Sequence, residues 1–172
     1  MSSKPKAWLS EHAAEEIRTR AAASHPCETG GILAGVRVGS RPWVTHAIEI
    51  RWQQSSRSRY AIPEGATRRA IEDIRASDKR IGYLGDWHSH PADFGPSSRD
   101  AVRMMRTAGD PRATCRHPLL LIALRTVDGY ELDVTEWSLN GFRGTRLIMA
   151  GGLKPISDSR GKHIPNPADS SS

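Results

Sequence analysis

The chain has 172 residues, of which 37% are hydrophobic, and this size and composition suit one globular domain with a short additional segment. No apolar run approaches the roughly 20 residues that span a bilayer, and the N-terminus lacks a signal-peptide core, so we expect a cytoplasmic protein with no membrane partner. The net charge of +6 admits an anionic partner, but the arginines are scattered along the sequence, which argues against nucleic-acid binding. Cys27 and Cys115 are too few for a disulfide framework and are expected to be reduced packing residues.

Helical and strand patterns alternate along the first half of the chain. Apolar residues at helical spacing predict an amphipathic helix at 9–23. A short apolar run and a later period-2 alternation predict two paired strands, at 32–36 and 43–50. The polar, serine-rich segment that follows predicts a loop at 51–59, with a brief strand at 60–62 before a proline.

The second half continues this alternation, which favours an α/β fold. Segment 118–124 is the most apolar of the chain and predicts a central, fully buried strand. An Asp-Gly turn then predicts a hairpin into an edge-type strand. The predicted helices are 65–76 and 97–109, and the predicted strands are 81–87, 118–124 and 130–137.

The chain end differs in composition from the rest. Beyond about residue 155 the sequence is rich in Ser, Pro, Asp and Lys, with few residues to bury. We therefore predict one domain at 1–154 and a disordered C-terminal tail at 155–172.

The polar residues with the clearest chemistry follow the predicted strand 81–87. His88 and His90 are two apart, so on extended backbone both imidazoles point to one side, and Asp100 returns from the next helix. Two imidazoles and a carboxylate leave one position open for water, which describes a catalytic rather than a structural zinc site. Taken alone, a His-x-His pair is equally typical of surface or hydrogen-bonded histidines.

Three separated elements together resemble the JAMM (MPN-plus) metallopeptidase signature. Glu28 stands in Glu-Thr-Gly-Gly-Ile-Leu-Ala-Gly, His-Ser-His-Pro follows at 88–91, and Ser97-x-x-Asp100 completes the pattern. The resemblance covers about residues 9–137. It implies a JAB/MPN (cytidine-deaminase-like) fold, in which helices flank a mixed central β-sheet.

The resemblance also implies one catalytic zinc ion, with His88, His90 and Asp100 as its ligands. Nine residues separate His90 from Asp100, one fewer than in the family's commonest form. Because the shortened part lies between the motif residues, we expect a tighter loop and an intact ligand set. Asp93, in the same loop, is a rival ligand without the support of a helix.

The remaining site residues take their roles from the same resemblance. Glu28 is expected to take a proton from water and pass it to the leaving amine. Ser97 is expected to stabilise the oxyanion; a plain helix N-cap is the alternative, and both roles could hold in part. Ser89 is expected to brace the ligand segment, and the expected contacts of the substrate tail are Arg57, Arg59 and Tyr60.

The implied activity is hydrolysis of the bond after the C-terminal tail of a ubiquitin-like protein, in deconjugation or precursor processing. The tail is expected to add as a strand at a sheet edge beside 51–60. The implied partners are the ubiquitin-like protein or its conjugates, together with activating and conjugating enzymes, including those of bacterial antiphage systems. Alternatives are a peptidase that processes sulfur-carrier proteins, a non-catalytic MPN scaffold, and a basic nucleic-acid-associated protein.

Overall fold

A computed structural model describes residues 5–92 and 95–154 of the chain. The predicted tail, 155–172, and the rival ligand Asp93 lie outside the described residues. The strands are β1 (Lys6–Ser10), β2 (Gly30–Val38), β3 (Arg41–Glu49), β4 (Gly82–His90), β5 (Leu119–Thr126), β6 (Gly129–Ser138), β7 (Gly141–Gly144) and β8 (Arg146–Ala150). The helices are α1 (Glu11–Ser24), α2 (Ala66–Ser77) and α3 (Ser98–Gly109).

The strands form a single mixed sheet in the order β7-β6-β5-β4-β2-β3-β1-β8. β4 lies near its centre, antiparallel to β2 and parallel to β5. β1 is parallel to both β3 and β8, and the remaining pairs are antiparallel. This topology confirms the predicted mixed sheet of an α/β fold.

Alternate residues of β5 face the two layers of the core, as the two-residue period of a strand requires. Leu119 and Leu121 pack in the cluster that α1 closes, whereas Leu120 and Ile122 pack with Met104 of α3. A third cluster joins α2 to the other half of the sheet. The helices therefore flank the sheet, and none of them within the described ranges is both long and apolar enough to cross a bilayer.

The start of the chain differs from its prediction. Leu9 belongs to β1, and α1 begins only at Glu11, after the N-cap Ser10, whose Oγ accepts a hydrogen bond from the amide of Ala13 at 3.1 Å. β1 has five residues, and its partners β3 and β8 are distant in sequence. The apolar alternation of β1 is therefore too short to be distinguished, from sequence alone, from the helical spacing of α1 that follows it.

Four further expectations were wrong. Residues 60–62 form no strand, whereas 51–59 is a loop as predicted, with an isolated bridge between Ser56 and Arg59. β6 is not an edge strand, because β7 pairs with its outer side. β4 continues to His90, so the histidines lie within a strand rather than after it. Cys115 is buried as expected, but Cys27 is exposed.

Candidate active site

The two histidines of the predicted ligand set lie at the C-terminal end of β4. Both are buried, and their Nε2 atoms are 3.0 Å apart. β2 and β5 flank β4, so neighbouring strands hold the backbone of this pair on both sides. The sheet therefore holds the two imidazole Nε2 atoms close together beneath α3.

Asp100 reaches the histidines from the first turn of α3. Its Oδ1 lies 3.4 Å from Nε2 of His88, and its Oδ2 lies 3.9 Å from Nε2 of His90. Burial opposes ionisation of Asp100, but His88 and hydrogen bonds from Ser97 outweigh this effect and hold the pKa of the carboxyl well below its usual range. Asp100 is therefore an anion at neutral pH.

These three side chains fit a zinc ion. Bonds of about 2 Å in a tetrahedral site place donor atoms about 3.3 Å apart, which is close to the 3.0, 3.4 and 3.9 Å separations found here. Among the described residues, no fourth His, Cys, Asp or Glu joins this group. The loop between His90 and Asp100, although one residue shorter than in the family's commonest form, thus still allows two imidazole nitrogens and a carboxylate oxygen to come together.

Ser97 is the N-cap of α3 and forms a capping box with Asp100. Its backbone N–H and its Oγ both donate to Oδ2 of Asp100 at 2.7 Å, and the Asp100 amide donates back to Oγ at 3.3 Å. Ser97 is therefore a helix N-cap, and its hydrogen bonds orient the carboxylate of Asp100, a candidate metal ligand. A role at an oxyanion stays a prediction.

Glu28 lies just before β2, and the loop after β3 holds its backbone. Its N–H donates to the carbonyl of Ser56 at 2.8 Å, and its own carbonyl accepts a hydrogen bond from Ser55 Oγ. The side chain is buried and lines the same cavity as His88 and Asp100, which has a volume of about 550 Å³. Burial raises the pKa of Glu28 to about 7.

Ser89 connects the histidine strand to the segment that carries Glu28. Its Oγ accepts a hydrogen bond from the amide of Thr29 at 3.0 Å, and its own amide donates to the Thr29 carbonyl at 2.8 Å. The next residue, Gly30, pairs with His88 in the sheet. These contacts set Glu28 beside the histidines although they are 60 residues apart in sequence.

Two of the three predicted tail contacts line the cavity. The Tyr60 ring lies stacked beside His88, with centroids 6.5 Å apart, and its hydroxyl donates to the Ile50 carbonyl at 2.6 Å. Arg59 also lines the cavity, with its guanidinium over the Trp52 ring at 5.1 Å. Arg57 is exposed and lies outside this lining.

The absence of a side chain at Gly30 lets Tyr60 and His88 pack closely against the backbone of β2. A Cβ at this position would lie 2.6 Å from the Tyr60 ring and 2.7 Å from Cβ of His88. Any side chain would therefore push the tyrosine or the histidine out of place.

A partly buried ion pair beside the candidate ligands was not predicted from the sequence. Asp86 accepts hydrogen bonds from Nε of Arg103 and from the Tyr83 hydroxyl, each at 3.0 Å. Burial raises the pKa of Asp86, and these two partners oppose that shift. The available signal was spacing: Asp86 precedes His88 by two residues on β4, and Arg103 follows Asp100 by three on α3.

We expect Asp86→Asn to loosen α3 and thereby weaken metal binding. Without the carboxylate, Arg103 keeps a partly buried charge with no anionic partner, which should cost about 1–3 kcal/mol of the free energy of unfolding. Because Arg103 is one turn from Asp100, zinc affinity should fall about tenfold. Urea unfolding and competition with a chelator measure these two quantities.

The matched control is Asp78→Asn. Asp78 forms an ion pair with Arg80 at 2.6 Å outside the lining of this cavity. This variant should lose stability without losing zinc affinity. Unchanged zinc affinity in Asp86→Asn, measured under conditions in which that variant is fully folded, would show that the Asp86–Arg103 pair does not position Asp100.

A known protein family matches the part of the chain that carries the candidate site. The model of the family described as prokaryotic homologs of the JAB domain matches residues 10–140. A protein of Pseudomonas aeruginosa (strain BWHPSA011 / Pa011), named CD-NTase/cGAS isopeptidase, is 32% identical over 94 residues, which are 53% of this chain and 60% of that protein. A protein of Escherichia coli (strain TW11681) with the same name is 36% identical over 70 residues, 39% of this chain and 44% of that protein.

The matched segments thus span less than two thirds of the length of either relative. The solution structure of protein DSY2949 from Desulfitobacterium hafniense superposes with a TM-score of 0.69 over 86% of this chain and 95% of that chain. At 24% identity, this likeness supports the fold alone. Because the family model covers most of the chain, the chain belongs to the prokaryotic homologues of the JAB domain.

Proposed function

We propose that this protein is a zinc-dependent isopeptidase that hydrolyses the bond after the C-terminal tail of a ubiquitin-like protein. The observation that carries the proposal is one cavity that brings Glu28 together with the His88, His90 and Asp100 cluster. Membership of the JAB family and two relatives named as isopeptidases support the same reaction class.

His88, His90 and Asp100 are the residues that would hold the ion, through two imidazole nitrogens and a carboxylate oxygen. When bound, zinc supplies a Lewis acid that lowers the pKa of water and polarises a carbonyl group. Ser97 maintains the orientation of Asp100 through the capping box. Asp86 and Arg103 anchor the helix that carries both residues.

Glu28 acts as the base and then as the acid. In its ionised form it takes a proton from the attacking water, and it delivers this proton to the leaving amine as the C–N bond breaks. In the metal-free protein, burial raises the pKa of Glu28 to about 7, which brings the carboxyl close to the range that suits general acid–base catalysis at neutral pH. The backbone contacts to Ser55 and Ser56 keep the carboxylate directed at the cavity.

The substrate tail is proposed to pair with the cavity wall rather than with a sheet edge. Among the described residues, the two edge strands, β7 and β8, contribute nothing to the cavity lining. Residues 58–62 do line the cavity, and 60–62 belong to no strand, so their backbone is suited to add an extended peptide. Arg59 and Tyr60 then flank the tail.

The biological setting is proposed from the relatives. Both are named CD-NTase/cGAS isopeptidases, which favours an isopeptide bond that involves a CD-NTase in a bacterial antiphage system. In this setting the ubiquitin-like tail, its conjugates and the activating and conjugating enzymes are the expected partners.

The test uses the ubiquitin-like protein encoded nearest to the gene of this chain. Its C-terminus is joined to a reporter protein, either as a linear fusion or through a lysine side chain, and intact-mass spectrometry locates the cut. Cleavage directly after the last tail residue is expected, and a zinc chelator should block it.

A bulky residue at the end of the tail is the matched substrate control, because it should not fit in the cavity beside Tyr60. A scaffold protein would leave both joined substrates intact. A zinc-loaded enzyme that cuts unrelated unfolded peptides but no tail fusion would contradict the proposed substrate class while retaining the hydrolase chemistry.

A further inference from the structure

A second cleft, of about 530 Å³, is lined by basic side chains that are far apart in sequence. They come from the first strand, the β2-β3 hairpin, the segment before β5, and β7. The cationic residues of this basic cleft are Lys6, Arg37, Arg41, Arg116 and Arg143.

The basic cleft lies at the opposite end of the sheet from the candidate metal site. Gly30 of β2 pairs with His88 at the metal end, whereas Arg37, seven residues further along β2, pairs with Pro42 near the hairpin turn. Seven residues of strand cover about 20 Å. A ligand of the basic cleft is therefore separate from a substrate at the metal.

Most of the positive charge in the basic cleft is not neutralised. Within the described part of the chain, four of the five cations form no ion pair, Arg143 being the exception. Among the described residues, Glu136 is the one carboxylate that lines the basic cleft, and Arg143 and His117 already share it at 3.3 and 3.9 Å. An anion entering the basic cleft would therefore meet unpaired cations in a concave site, where the local field is concentrated.

Two of these guanidinium groups are held in place before any ligand arrives. Arg37 donates to the carbonyls of Ser40 and His117, both at 3.0 Å. Arg41 lies over the Trp8 ring at 5.5 Å. Fixed guanidinium groups lose less entropy when they bind an anion, and their planar forks match the oxygens of phosphate.

The shape and lining of the basic cleft favour a compact ligand. Its volume is that of a small-molecule site, and among the described residues its lining includes the small ring of His117 but no Phe, Tyr or Trp, the larger rings on which nucleic-acid bases stack. Hydroxyl groups of Ser40 and Thr114 add neutral hydrogen-bonding groups to the lining. We propose that the basic cleft binds a small anion with several linked phosphate groups, of the oligophosphate type.

Isothermal titration of the zinc-loaded full chain with inorganic tripolyphosphate, in ~0.1 M KCl, tests the proposal. Wild type should bind, and the double variant Arg41→Glu/Arg116→Glu should bind at least about tenfold more weakly, because it reverses two exposed charges in the basic cleft. The control Arg69→Glu/Arg75→Glu makes the same charge change on exposed positions of α2 and should keep the wild-type affinity within about twofold.

His88→Ala separates binding in the basic cleft from chelation at the metal site, and it should titrate like wild type. The proposal is overturned if wild type does not bind, if both charge-reversal variants weaken equally, or if His88→Ala abolishes binding. It is also overturned if a single strand of about 20 nucleotides binds the basic cleft more tightly than tripolyphosphate, which would make nucleic acid the ligand.

Discussion

Glu28→Gln is expected to lose hydrolysis by roughly 10²–10⁴-fold or more while keeping zinc in place. The amide has nearly the same size and polarity as the carboxylate but cannot accept a proton from water at neutral pH. Glu28 is not part of the three-residue donor cluster, so the ion does not depend on it. The measurements are kcat/KM on the tail fusion and zinc content per chain.

Glu131→Gln is the matched control, because Glu131 is exposed on β6 and the chemical change is identical. It should leave both quantities unchanged. Near-normal turnover in Glu28→Gln would remove this residue from the mechanism, whereas loss of zinc would place it among the ligands.

The same substitution is expected to stabilise the metal-free protein at alkaline pH. Burial raises the pKa of folded Glu28 from 4.5 to about 7, so between these values the folded state binds more protons than the unfolded state. Stability is therefore lost as pH rises through this window, and the full penalty applies above pH 7. Removing the charge should raise the free energy of unfolding by about 1–3 kcal/mol at pH 8 and by almost nothing near pH 4.

Urea unfolding of chelator-treated wild type and Glu28→Gln at several pH values measures this difference. Other titrating groups are common to both proteins, so their effects cancel. Identical pH profiles would mean that the carboxyl is better solvated than its burial implies.

His88→Ala is expected to abolish zinc binding at micromolar concentrations of the metal, and hydrolysis with it. The substitution leaves one imidazole and one carboxylate, too few donors for a stable zinc site. Wild type should carry close to one zinc per chain by elemental analysis.

The control for this loss is His12→Ala, an exposed histidine on α1. It should retain the metal. Full zinc occupancy in His88→Ala would contradict the assignment of the ligand set and require a different site elsewhere in the chain.

Local pattern was sufficient to predict much of the fold. The helical spacing in α2 and α3 placed both helices within one residue of their observed bounds, and the apolar run of β5 indicated a central, buried strand. In contrast, β1 and β8 pair with each other from opposite ends of the chain. Their strand character depends on partners about 140 residues away, which no local window contains.

The site divides in the same way. The sequence by itself determined that His88 and His90 share a face, because the two-residue period of a strand is a local property of the backbone. It also determined the N-cap role available to Ser97, since capping joins residues three apart. Glu28 was recognised only through its motif.

Tertiary structure alone decided which distant groups meet. Strand order brings Gly30 beside His88 and so sets Glu28 at the cavity, and the packing of α3 on β4 joins Arg103 to Asp86. Four arginines from separate parts of the sequence, Arg37, Arg41, Arg116 and Arg143, converge at the far end of the sheet. Such contacts depend on the order and register of the strands, which arise from the packing of the whole chain rather than from the preference of any one segment.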